Sequence, residues 1–165
     1  MKTGVIIGRF QCHKLTDGHK ELINYVISKS DKVLIFIGVS PLKPDIKNPL
    51  PFEMRKSMVS GFVPYRMLEQ ELIRIIPIVD VFNIPRWSRI LDYKIYQEIT
   101  IDDEVILYGG RDSFNYVGSY QKRQIESTTD SSATELRNQI LATDISSVGE
   151  EFRKGIIWAT GKLDA

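Results

Sequence analysis

Hydrophobic residues in this chain fall in short blocks separated by longer stretches in which apolar and polar positions mix. The blocks Gly4 to Gly8, Val33 to Val39, Ile73 to Val79, Val105 to Tyr108 and Gly155 to Ala159 are rich in Val and Ile and too short for buried helices, so they predict buried strands. Between the first two blocks, Leu22, Ile23, Val26 and Ile27 recur at spacings of one, three and four, the stripe of a helix over His19 to Ser28 that packs on a sheet. A helix over Phe52 to Phe62 is predicted after Pro51, since proline opens a helix without losing a needed donor. Trp87 to Glu98 and Thr134 to Leu141 read as two more helices. The alternation predicts an α/β fold: a Rossmann-like, doubly wound parallel sheet of about five strands with helices on both faces. The connections around Pro41, Pro44, Pro49 and Pro51, and from Gly109 to Asp130, are predicted to be long and irregular. In such folds ligands bind in the crevice where loops leave the carboxyl ends of the strands.

Composition adds bounds to this picture. With 165 residues, the chain is expected to be one domain that buries about 70% of the surface its unfolded form exposes, without help from disulfides or metals. Its single cysteine, Cys12, has no partner for an internal bridge and fits a reducing compartment. The 22 basic and 21 acidic residues give a net charge of +1, so the overall basic excess of a phosphate-neutralising nucleic-acid binder is missing. No apolar run approaches the roughly 20 residues of a membrane span, and Met1 to Phe10 lacks the pattern of a signal peptide. A cytoplasmic protein with no membrane and no nucleic-acid partner is expected.

The order of residues after the first strand block is what points to chemistry. Gly8-Arg9-Phe10-Gln11 ends the strand, and Thr16-Asp17-Gly18-His19 opens the first helix. A glycine there allows a tight turn, and a helix N-terminus presents unpaired N–H groups and a positive dipole, a combination that attracts phosphate. Thr16 and His19, three residues apart, leave the first turn on one side. Taken singly, the glycine is a turn, the threonine an N-cap and the histidine a packed or surface side chain; together they form a candidate anion site.

This pair of motifs resembles the nucleotidylyltransferase superfamily, whose signature is a first strand, a G-x-F turn and an H/T-x-G-H motif opening the first helix. The arginine after the glycine is most similar to the nicotinamide-nucleotide adenylyltransferase branch, including relatives fused to a Nudix hydrolase. Ser132-Ala133-Thr134-Glu135-Leu136-Arg137 is similar to the family's second motif, S-x-T-E-[I/L]-R. Asn48-Pro49-Leu50-Pro51-Phe52 with Arg55 resembles its N-P-F region, and Tyr108-Gly109-Gly110-Arg111-Asp112 the segment after its fourth strand. Thr16 stands where the commonest form has histidine, and Cys12-His13-Lys14-Leu15 makes the loop two residues longer than the compact G-R-F-Q-P-F-H-x-G-H form.

The resemblance implies a single nucleotidylyltransferase domain over 1–165 that transfers AMP from ATP to nicotinamide mononucleotide, giving NAD and pyrophosphate, with Mg²⁺ bound on the ATP phosphates. It implies His19, Thr16 and Arg137 as catalytic groups. ATP would meet Gly8, Arg9, Phe10, Gln11, Thr16, Gly18, His19, Gly109, Arg111, Ser132, Thr134 and Arg137, and the nicotinamide nucleotide would meet Arg9, Arg55, Asp80, Asn83, Trp87 and Arg111. Trp87 is open to two readings, a stacking platform for the nicotinamide ring or a core residue. Other phosphorylated acceptors, such as phosphopantetheine or glycerol phosphate, and a non-catalytic nucleotide or NAD sensor are the alternatives on the same fold. The partners expected are small molecules, with a homo-oligomer left open and no protein-held metal.

Two weaker patterns are set aside. Gly155 to Lys162 ends in Gly-Lys but has the wrong spacing for a P-loop, and Leu163 follows in place of Ser or Thr. Cys12, His13 and His19 are too few for a structural zinc site.

Overall fold

The structure, a computed structural model, describes residues 1–41, 48–110 and 114–128. Its elements in chain order are β1 (Lys2–Gly8), α1 (Asp17–Lys29), β2 (Lys32–Val39), α2 (Phe52–Ser60), α3 (Tyr65–Glu69), β3 (Ile73–Val79), α4 (Ile84–Tyr96), β4 (Glu104–Gly109) and β5 (Gln121–Gln124). The five strands form one sheet in the order β3-β2-β1-β4-β5, and every pairing is parallel.

Period-two alternation sorts the strand residues onto two faces. Ile6, Val33, Ile35, Ile37, Ile73 and Tyr108 pack with Ile23 and Val26 of α1 and Val59 of α2. Val5, Leu34, Phe36, Ile78, Val105 and Leu107 face the other way, against Trp87, Leu91 and Ile95 of α4. Helices therefore cover both faces, and the expected doubly wound α/β architecture is observed. Among the described residues no helix is long and apolar enough to cross a membrane.

Differences from the sequence reading have local causes. α4 begins at Ile84 rather than Trp87 because the Asn83 side chain accepts the Arg86 N–H at 2.9 Å and Pro85 occupies the first turn, where its missing donor costs nothing. The five-residue α3 is too short to show a period. β5 lies inside the stretch expected to be irregular: Gln121-Lys122-Arg123-Gln124 has no apolar alternation and joins β4 through its backbone at the sheet edge. The helix predicted over Thr134 to Leu141 and the strand over Gly155 to Ala159 lie outside the described residues.

Candidate active site

With all strands parallel, their carboxyl ends share one edge. The chain proceeds from β1 outward to β2 and β3, then crosses to β4 and β5 on the other side of β1, so the strand order reverses between β1 and β4. Ligand crevices of open α/β sheets form at such a reversal. Here it is framed by Gly8 and Arg9 after β1, by Gly109 and Gly110 at the end of β4, and by the N-terminus of α1.

Thr16 and His19 build that N-terminus reciprocally. Thr16 Oγ1 accepts the His19 N–H at 3.1 Å, and the Thr16 N–H donates to His19 Nδ1 at 3.2 Å, so Thr16 is both the N-cap and a wall of the site. A backbone N–H only donates, so Nδ1 acts as acceptor and the neutral ring carries its proton on Nε2. The amides of Asp17 and Gly18, in the first helical turn, have no acceptor within the helix. A hydroxyl, an imidazole donor and amides with no acceptor inside the helix thus converge at the positive end of α1.

The turn from β1 is tightly determined. Phe10 sits at φ 50, in the left-handed region that a bulky residue rarely adopts, and its buried ring lies 4.9 Å from the His19 imidazole at 51°. A Cβ on Gly8 would come within 2.7 Å of that ring, so only glycine lets the strand end pass beneath Phe10. Cys12 is buried, with Sγ 4.0 Å from His19 Nδ1.

Several residues expected at the ligand turn out to hold the scaffold. The buried Gln11 amide bonds the Leu50 backbone in both directions, Nε2 to the carbonyl at 3.1 Å and Oε1 from the N–H at 2.9 Å. Arg55 is 2% exposed, and one terminal nitrogen donates to the carbonyls of Arg9 at 2.7 Å and Gly38 at 2.6 Å. Burial pushes its guanidinium down to about 10, with Asp80 opposing the shift and Arg9 adding to it, so it stays charged at neutral pH. Asn83, expected at the nicotinamide, caps α4. Trp87 packs in the core with its ring 5.8 Å from Phe114, which also meets the Tyr116 ring at 6.4 Å and the Lys122 ammonium at 4.5 Å.

Arg9 faces outward, its side chain 57% exposed, with Nη2 3.2 Å from Asp80 Oδ2 and Nη1 donating to Asn48 Oδ1 at 3.4 Å. Asp80 is therefore the counter-ion of Arg9. Gly38 was missed in the sequence: a Cβ there would meet Asp80 Oδ1 at 3.2 Å and Arg9 Cγ at 3.6 Å. Its position at the end of the second apolar block, like Gly8 at the end of the first, was the available signal. The structure brings together Gly8, Arg9, Phe10, Thr16, His19, Gly109 and Asp80 around this edge; Arg111, Ser132, Thr134 and Arg137 lie outside the described residues.

Beside the site, Glu21 of α1 clasps the far end of the described chain. Its carboxylate accepts from Ser127 Oγ at 3.2 Å, the Thr128 N–H at 3.1 Å and Thr128 Oγ1 at 2.6 Å. The bonds from the Thr128 hydroxyl and N–H hold the Glu21 carboxyl below its ordinary value of 4.5. A depressed carboxyl stabilises the clasp above its unfolded value and releases it as pH falls through the folded one. The Thr128 amide resonance is expected to titrate with a midpoint below 4.5 and to lose that transition in Glu21→Gln; an NMR pH titration checks this, and a midpoint at or above the ordinary value counts against the clasp.

Known proteins share both sequence and fold with this chain. No protein-family model matches it. The nicotinamide-nucleotide adenylyltransferase of Thermococcus kodakarensis is 31% identical over 84 residues, covering 50% of this chain and 44% of the relative. The enzyme of that name from Thermoplasma acidophilum is 36% identical over 90 residues, covering 52% and 46%. A bifunctional NMN adenylyltransferase/ADP ribose pyrophosphatase from Francisella tularensis, solved with AMP and a manganese ion, superposes with a TM-score of 0.69 over 91% of this chain and 43% of its own, at 22% identity. By sequence over about half its length, and by fold, the chain is similar to nicotinamide-nucleotide adenylyltransferases. It matches less than half the length of these relatives. The crevice between β1 and β4, with the α1 N-terminus at its mouth, is the place where the sequence motif and the sheet topology coincide.

Proposed function

We propose that this nucleotidylyltransferase domain transfers the adenylyl group of ATP·Mg to nicotinamide mononucleotide, giving NAD and pyrophosphate, in the cytoplasm. The observation that carries the reading is the reciprocal Thr16–His19 cap, which fixes the imidazole proton on Nε2 at the N-terminus of α1, beside the strand-order reversal. The names of the curated relatives support the same acceptor.

An oxygen of the mononucleotide phosphate attacks the α-phosphorus of ATP in line; the new P–O bond forms as the bond to the β-phosphate breaks, and pyrophosphate leaves. No protein nucleophile is needed. The His19 Nε2–H donates to a non-bridging α-phosphate oxygen, where negative charge grows, and the Asp17 and Gly18 amides with the α1 dipole add to that stabilisation. Arg9, charged and outward-facing, supplies the cation for a substrate phosphate, exchanging Asp80 for the anion. Arg137, Ser132 and Thr134 are proposed, from the motif resemblance, to hold the leaving pyrophosphate, with Arg111 beside them. Glu21 anchors the chain at Thr128, four residues before Ser132. The described donor set is hydroxyl, imidazole, amide and guanidinium, which suits Mg²⁺ carried on the ATP phosphates rather than in a carboxylate cage.

The test is pyrophosphate release with ATP or CTP against nicotinamide mononucleotide, its acid form, phosphopantetheine and glycerol phosphate. Turnover with ATP and a nicotinamide or nicotinic acid mononucleotide is expected. Turnover with phosphopantetheine or glycerol phosphate alone overturns the acceptor, and ATP binding without turnover on any acceptor makes the domain a sensor.

A further inference from the structure

The β1–β2 ladder ends at the pair Gly8 and Ile37. Just beyond it β1 turns away, so the partly buried carbonyl of Arg9 and the buried carbonyl of Gly38 leave the strand pairing. Buried carbonyls without donors are costly, and the buried Arg55 guanidinium, reaching up from α2, supplies both with hydrogens from a single nitrogen. Its Nε also lies 3.4 Å from the Pro51 carbonyl, which fixes the side chain to its own helix start.

What Arg55 fixes is the peptide that leads into Phe10. That residue stands at φ 50, a conformation that persists only where the surroundings over-determine it. The Phe10 ring in turn packs on Gly8 from one side and on the His19 imidazole at 4.9 Å from the other. An unbroken run of contacts therefore joins Arg55, the Arg9 carbonyl, the Phe10 backbone, the Phe10 ring and His19.

We propose that Arg55 is a positioning residue: by holding the Arg9 and Gly38 carbonyls it sets the strained Phe10 turn, and through the Phe10 ring it orients the His19 imidazole toward the crevice. The proposal rests on the reading of His19 as the donor to the transferred phosphate. It differs from a direct phosphate contact by Arg55, for which a guanidinium 2% exposed and committed to two carbonyls is badly placed.

The test compares Arg55→Met, Arg55→Lys and Phe10→Leu with the wild type in two readouts. One is pyrophosphate release, resolved into kcat and the KM of each substrate. The other is the ¹⁵N spectrum of the imidazole rings, tractable because the chain has 2 histidines. Arg55→Met is expected to lower kcat about tenfold while both KM values stay within about threefold, because a sub-ångström misaiming of His19 weakens the transition state more than binding. Its His19 ring is expected to lose the single Nε2–H tautomer. Arg55→Lys, which keeps the charge but not the fork, falls between, and Phe10→Leu, which leaves Arg55 intact, reproduces both signatures.

A raised KM for ATP with unchanged kcat in Arg55→Met makes Arg55 a phosphate ligand and overturns the proposal. So does a Phe10→Leu protein with wild-type kcat and ring spectrum. If Arg55→Met does not fold, Arg55→Lys and Phe10→Leu decide the matter. If the wild type turns over no acceptor, the functional reading fails by itself and the ring spectra still decide the positioning role.

Discussion

His19→Ala is expected to lower kcat by ~10²-fold or more while the protein stays folded, as for loss of a donor aimed at charge that develops in the transition state. The fold should survive because α1 is held by Ile23 and Val26, both fully buried against the sheet, rather than by its first turn. The substitution does remove the acceptor of the Thr16 N–H, half of the reciprocal cap, so a stability loss of about 1 kcal/mol is expected alongside. Thr16 Oγ1 keeps its bond to the backbone N–H at position 19, so the helix start remains defined. Steady-state pyrophosphate release paired with thermal unfolding separates the two effects. Unchanged kcat in a folded protein would remove His19 from the mechanism.

Gly8→Ala should have an effect on kcat of the same order, about 10²-fold, through misplacement rather than lost chemistry. The added Cβ would lie 2.7 Å from one atom of the Phe10 ring and 3.0 Å from another, closer than van der Waals contact allows. The ring has little room to yield: it is 3% exposed, its backbone is already at φ 50, and His19 lies behind it. Either β1 shifts or the ring pushes the imidazole, and overpacking of this kind also costs about 1–3 kcal/mol of stability. Gly61→Ala is the control. That glycine ends α2 at φ −70, and its added Cβ would come no nearer than 3.4 Å to a neighbour, so both kcat and stability should stay near wild type. Recovery of kcat in Gly8→Ala/Phe10→Leu relative to Phe10→Leu alone, measured as a double-mutant cycle, would tie the loss to this one contact.

The arginines differ in the fold in a way their sequence positions do not show. By motif position Arg9 and Arg55 look alike, each a cation next to a glycine- or proline-marked loop. In the fold one is half exposed and paired with Asp80, and the other is sealed beneath the strand ends with its donors on two carbonyls. Trp87 is a similar case. Its sequence position allowed a ligand platform or a core residue, and Phe114, arriving from the loop after β4, fills the space beside the indole. Asp80, expected at the nicotinamide nucleotide, is the counter-ion of Arg9 in the fold. Thr16 is the N-cap of α1 through its hydroxyl, and its own N–H, donating to His19 Nδ1, fixes the imidazole tautomer.

The sequence by itself determined the parallel sheet, its two covered faces and the location of the glycine turn that leads into the α1 N-terminus. These follow from local rules: apolar runs too short for helices, a 3.6-residue stripe, and a glycine turn followed by a helix N-terminus. It did not contain β5, whose polar residues are held by backbone bonds to β4. Nor did it contain the roles of Arg55, Gln11 and Trp87. Each of those is set by atoms that arrive from elements distant in the chain, and the burial of a charge or a ring is a property of that three-dimensional meeting. Only the tertiary structure decided which cation stands half exposed beside Asp80 and which is buried on two carbonyls.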